Sequence, residues 1–177
     1  MAIESIYWRE ELVRINKLLQ PVRQPKRWSE RLVCSVERDT IIGFFIVRRL
    51  IELKKVSSKT SSHKMVVYCN SPLTKVNLVN RFSIDKNYDW EKETEKSVSV
   101  SYITNQFVHA YMSVLFRDES RNWSEFILFS DYDRNKNLWR VPIGEIIKAF
   151  EVAIDDWPVS TRLLYNDGRE DYDVDTV

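Results

Sequence analysis

The sequence predicts an α+β fold: a long central helix with flanking helices and a small, mainly antiparallel sheet, in which a three-stranded C-terminal meander is covered by a helix. Three observations carry this. Trp28–Val56 is a proline-free segment dense in apolar residues. Short apolar runs opening at Tyr111, Phe126 and Leu138 are separated by polar turns. Segments with helical spacing stand before and after these runs, at Ile3–Leu19 and Ile143–Trp157.

Within Trp28–Val56, residues Leu32, Val36, Gly43, Ile46, Leu50 and Leu53 fall at spacings of three, four or seven, while Arg31, Ser35, Arg38 and Glu52 share another face. Every residue from Ile41 to Val47 is apolar or glycine. A helix there presents a hydrophobic surface all round, so burial on more than one side is expected. The competing reading is a buried strand over Ile41–Val47, since the run is β-branched and aromatic and Gly43 costs a helix about 1 kcal/mol relative to alanine. Helical spacing on both flanks favours the helix. A membrane span is not expected, because Asp39 on one side and Arg48 and Arg49 on the other leave a run far short of the ~20 apolar residues required.

Ile3–Leu19 carries Ile3, Ile6, Tyr7, Leu12, Ile15, Leu18 and Leu19 as a stripe, with Glu4, Arg9, Glu10, Arg14 and Lys17 largely outside it, and should pack on the central helix. Pro21 and Pro25 end it. Ser29 is then placed to cap the long helix. The serine-rich stretch from Val56 to Lys64 reads as a loop with no core residue, His63 included. Met65–Cys69 is short, β-branched and stopped by Asn70-Ser-Pro72, the marks of a strand. Leu73–Trp90 allows a short helix followed by a loop, and Asp89–Lys96, with its alternating charges, reads as a solvated turn or helix start.

Val98–Val108 has a helical face at Tyr102, Ile103 and Phe107. The meander follows from Tyr111, with polar turns at Asp118–Asn122 and Asp131–Asn137, and Pro142 suits the first turn of the helix that covers it. Residues 1–165 are expected to form one α+β domain and 166–177 an acidic mobile tail, because Asp167, Glu170, Asp171, Asp173 and Asp175 have little to bury.

A chain of 177 residues is long enough to bury roughly 70% of its unfolded surface. Cys34 and Cys69 stand apart with no CxxC, and Met1–Leu19 is too charged for a signal peptide, so a reducing cytoplasm is the expected compartment. The net charge of +1 conceals an uneven distribution. Residues 1–64 hold 14 Lys+Arg against 7 Asp+Glu, and residues 65–177 hold 13 against 19. There is no GxGxxG, P-loop, GxSxG or HExxH, and Gly43, Gly144 and Gly168 alone cannot build a phosphate-cradling loop. Nucleotide-dependent enzymes are thereby disfavoured and no cofactor is expected. Asp131, Asp133 and Asn135 repeat the first oxygen ligands of an EF-hand, but Lys136 stands where glycine is needed and Pro142 where a glutamate is needed, so no metal is expected either.

Two groups of residues remain as candidates. Arg23, Lys26, Arg27 and Arg31 surround Trp28 at the start of the central helix, an aromatic among cations of the kind that stacks a base and holds its phosphates; the structural reading is an exposed connector with one buried tryptophan. The expected function is therefore that of a non-catalytic binding or accessory protein working through protein contacts, with an acidic or nucleic-acid partner at its basic N-terminal half. The other group is Asn105 and His109, four apart on one helix, where an amide beside an imidazole can orient a general acid or base; the structural reading is a partly buried histidine bonded to a carbonyl.

HEPN ribonucleases carry an arginine, a polar residue and a histidine a few positions on within one helix. Ahead of His109 the corresponding positions are Ile103, Thr104 and Asn105, so the resemblance stops at the polar residue and the histidine, and the arginine has to come from the central helix, as Arg38, Arg48 or Arg49. This analogy implies, as the alternative function, a metal-independent ribonuclease in which His109 is the acid or base, Asn105 orients it and Arg48 stabilises phosphate charge.

Overall fold

A computed structural model describes residues 3–176, with backbone only for Ile3, Glu4 and Asp175. The stripe position Ile3, the polar position Glu4, and Asp175 and Val177 of the tail therefore lie outside the described side chains. The first helix, α1 (Ile3–Leu19), keeps its expected bounds, but its buried line runs through Ser5, Arg9, Leu12, Ile15 and Leu19, leaving Ile6, Tyr7 and Leu18 exposed. The stripe is rotated because Arg9 is buried. Its guanidinium donates to the carbonyls of Ile154 and Asp156, at 2.6 and 2.7 Å, and of Lys55 at 2.7 Å, and it stacks 4.0 Å over the Trp157 ring. Paired this way, a cation joins the helix's inner face.

The central helix, α2, is unbroken over Glu30–Glu52, and the strand alternative for Ile41–Val47 is not what the fold contains. Ser29 caps it, accepting from the Leu32 N–H at 3.2 Å. It closes where Lys54 turns left-handed at φ 55° and the Lys55 N–H returns to the Leu50 carbonyl. Burial is one-sided: Gly43, Phe44, Ile46 and Val47 face the core while Ile42 and Phe45 are exposed, so the all-round apolar run does not bring all-round burial. Gly43 is the point of closest approach. A Cβ there would sit 2.7 Å from Cζ of Phe150.

The serine-rich stretch is not a loop. It forms α3 (Ser58–Ser62), with Thr60 fully buried, because the Asp156 carboxylate accepts from the backbone N–H and hydroxyl of both Ser57 and Thr60. The strand β1 (Lys64–Asn70) follows, as expected. In residues 71–90 the short helix α4 (Ile84–Asn87) comes after the loop rather than before it.

Thr94–Ser99, within and just past the charged stretch read as a turn, is β2. It pairs antiparallel with β1 at the sheet edge, where only one neighbour and little burial are involved, so its polar residues carry no strand pattern. Then come α5 (Val100–Val108), β3 (Ala110–Arg117), β4 (Trp123–Ser130), β5 (Leu138–Pro142) and α6 (Ile143–Asp155). The meander β3–β4–β5 is present and is widened by β1 and β2 into a five-stranded antiparallel sheet of order β2-β1-β5-β4-β3.

Alternation along β4 divides two cores. Phe126 and Leu128 point into the helical layer, where Phe44 stacks on Phe107 at 4.1 Å and meets Phe150 edge-on at 5.0 Å. Ile127 and Phe129 point to the other face, which the 71–90 loop covers through Val76 and Tyr88. The acidic C-terminal stretch, expected as a mobile tail, holds strand β7 (Asp171–Thr176), paired antiparallel with β6 (Thr161–Asn166) in a separate hairpin. The hairpin is fastened at its end by the Thr176 hydroxyl, which donates to the Val56 carbonyl at 2.9 Å. Among the described residues no helix is long and apolar enough to cross a membrane.

Candidate functional site

The connector between α1 and α2 is tied down by the turn between β3 and β4. The Val22 N–H donates to Asn122 Oδ1 at 2.8 Å, and Arg117 Nη1 donates to the Lys26 carbonyl at 2.9 Å. These bonds hold the backbone and leave the side chains outward. Arg23, Lys26, Arg27 and Arg31 are exposed, and among the described residues none of the four is in an ion pair. Trp28 between them is 64% exposed, unlike the buried tryptophan of the connector reading.

Behind the connector lies a cavity of about 200 Å³. Leu18, Val22, Leu32 and Trp123 form its apolar part, and Lys17, Lys26, Arg117 and Arg121 stand around it. Arg117 lies over the Trp123 ring, with Cζ 4.1 Å from the centroid, and its Nε is buried without a hydrogen-bond partner among the described residues. Sequence reasoning missed Lys17, Arg117, Arg121 and Trp123 as members of this group. Only the β3–β4 pairing, more than ninety positions downstream of the connector, brings the last three to it.

The second group sits near the other end of α2. With 1.5 Å per residue, Arg31 and Arg48 are about 25 Å apart along the helix axis, so the two groups do not share one surface patch. Ser99 caps α5 by accepting from the Tyr102 N–H, and His109 closes it, its own N–H returning to the Asn105 carbonyl at 3.1 Å. His109 is therefore at the junction with β3 and its ring is exposed. Its Nε2 lies 3.1 Å from Arg48 Nη1. A guanidinium only donates, so Nε2 is the acceptor in this contact. Asn105 meets His109 through the backbone, and the imidazole's side-chain partner is Arg48.

Arg48 is itself oriented by Glu52, which accepts from its Nε at 2.7 Å and from Arg49 at 3.0 Å; these bonds hold the Glu52 carboxyl below its ordinary range. Beside this cluster a groove of about 270 Å³ runs between α2 and α5, lined by Arg48, Glu52, Ser101, Thr104 and Asn105. Thr104 is 1% exposed and its hydroxyl has no hydrogen-bond partner among the described residues. The arrangement places an imidazole, a cation and the exposed Asn105 along one edge.

The three oxygens that resemble a calcium loop are committed elsewhere. Asp133 is buried, accepting from Tyr102 Oη at 2.5 Å, Gln106 Nε2 at 2.9 Å and Trp139 Nε1 at 3.1 Å, while Asp131 pairs with Arg134 and Asn135 accepts from the Val76 N–H. Among the described residues no group of three His, Cys, Asp or Glu could hold a metal ion. No protein-family model, curated protein or solved structure matches this chain.

Proposed function

We propose that the protein is a non-catalytic binding protein whose contact surface is the basic connector, and that its partner is polyanionic, an acidic protein face or a nucleic acid. One observation carries this: Trp28 stands exposed among four cationic side chains that have no acidic partner among the described residues. Leaving a large aromatic in water forgoes roughly 2 kcal/mol of burial, and an uncompensated positive cluster repels itself, so the pattern does nothing for the fold. Other arginines here are used structurally, as Arg9 and Arg140 are. A cytoplasmic setting agrees with Cys34 exposed and Cys69 buried, both unpaired. The test is capture of partners from cell extract at low and high salt with nucleic acid retained. Salt-sensitive association is expected, and binding that ignores ionic strength, or none at low salt, removes the reading.

A second reading, a metal-independent ribonuclease, is favoured by a separate observation, the 3.1 Å approach of Arg48 to His109 beside an open groove. With Arg48 turned from Nε2 to a phosphate, the freed imidazole nitrogen can take a proton from a ribose hydroxyl while the cation stabilises the phosphate. The groups carrying this reading are His109 and Arg48, with Asn105 lining the groove. RNA cleavage in excess chelator tests it.

A further inference from the structure

The cavity behind the connector has two chemically different parts, and a ligand must satisfy both. Its apolar part is made by Leu18, Val22, Leu32 and Trp123; its rim carries Lys17, Lys26, Arg117 and Arg121. Burying an apolar body there is favourable, and the surrounding cations favour negative charge beside that body.

From this we infer that the cavity takes one unpaired base of a single-stranded nucleic acid, whose flanking phosphates are held by the rim cations; the inference rests on the reading of the connector as the contact surface. A base is a flat, largely apolar body edged with acceptors and joined to a phosphate at each side. A peptide of acidic residues alone meets the charge requirement but has nothing to fill the apolar part, and a duplex keeps its base faces stacked and out of reach. Trp28, 64% exposed on the same connector, supplies the platform for a neighbouring base. Sequence selectivity is not demanded by this geometry, because every base has a π-face.

The experiment measures fluorescence anisotropy of the full chain with labelled oligothymidylate, an abasic oligomer of the same phosphate count, a duplex and polyglutamate, at low ionic strength. Oligothymidylate is expected to bind about tenfold or more tighter than the abasic oligomer, the worth of stacking about one base. Leu18→Trp fills the cavity from an exposed position. It is expected to remove most of the difference between oligothymidylate and the abasic oligomer, the remainder being the stacking on Trp28. Val22→Trp, also from an exposed position, repeats the test should the first variant unfold. Equal affinity for the oligothymidylate and abasic oligomers overturns the base pocket while leaving a polyanion-binding connector intact, and polyglutamate or duplex binding as tight as oligothymidylate does the same. No binding of any polyanion removes the connector reading, and the pocket with it.

Discussion

Arg48 and His109, 61 positions apart in the chain, meet at 3.1 Å where the last turns of α2 pass the end of α5. The contact occupies one nitrogen of the imidazole with a cation's N–H. On the ribonuclease reading, RNA is cut in the presence of chelator, and His109→Ala lowers the rate by about 100-fold or more, the usual share of a general acid or base. Because His109 is exposed, the same substitution is expected to leave unfolding free energy within about 0.5 kcal/mol. RNA that stays intact with the unaltered protein ends this reading.

The connector makes a quantitative demand on salt dependence. Arg27→Ala and Arg31→Ala should each reduce the slope of log affinity against log salt by about 0.7 for a single strand, one phosphate contact apiece. Thermal unfolding should not move, since neither side chain is ion-paired among the described residues. Slopes unchanged in both variants would place the contact elsewhere.

Gly43→Ala sets two effects against each other. Helix propensity favours alanine by about 1 kcal/mol. Against it, the new methyl would lie 2.7 and 2.9 Å from Phe150 ring atoms, and the ring is wedged edge-on against Phe44, so it has little room to give. Overpacking costs about 1–3 kcal/mol, so net destabilisation is expected in urea unfolding. Phe150→Leu in the same chain should recover part of the loss, and an alanine variant more stable than the parent would show that the ring yields freely.

Asp156 links α6 to α3. Burial pushes its carboxyl up, but the hydrogen bonds from Thr60 and Ser57 together outweigh burial and hold it below the ordinary aspartate range. The native state therefore binds this proton less readily than the unfolded chain. Its contribution to stability is present above the ordinary aspartate value of about 3.9 and is lost as pH falls through the lower folded value. Asp156→Asn should cost about 1–2 kcal/mol at pH 7, and the gap to the unaltered protein should narrow below about pH 4. A gap that stays constant down to about pH 2 would place the stabilisation elsewhere.

The elements legible in the sequence are those with a local period. Ser29 and the spacing through Leu50 specify α2, Pro142 and the spacing through Ala153 specify α6, and the polar turns mark β3, β4 and β5. Of the candidate residues, Arg23, Lys26, Arg27, Trp28 and Arg31 could be grouped from sequence because they are neighbours in the chain. Arg117, Arg121 and Trp123 could not, since they reach the connector only through strand pairing.

What the sequence determined by itself was the set of elements with a helical or strand period and the apolar side each could bury, because backbone hydrogen bonding and side-chain periodicity are short-range. Only the tertiary structure decided which apolar residues stay in water, as Ile42 and Phe45 do, and which charged ones go inside, as Arg9 and Asp133 do. It also made a strand of polar Thr94–Ser99 and brought Arg48 to His109. Burial of a charge depends on whether carbonyls or donors converge on it from distant segments, and no local pattern records that convergence.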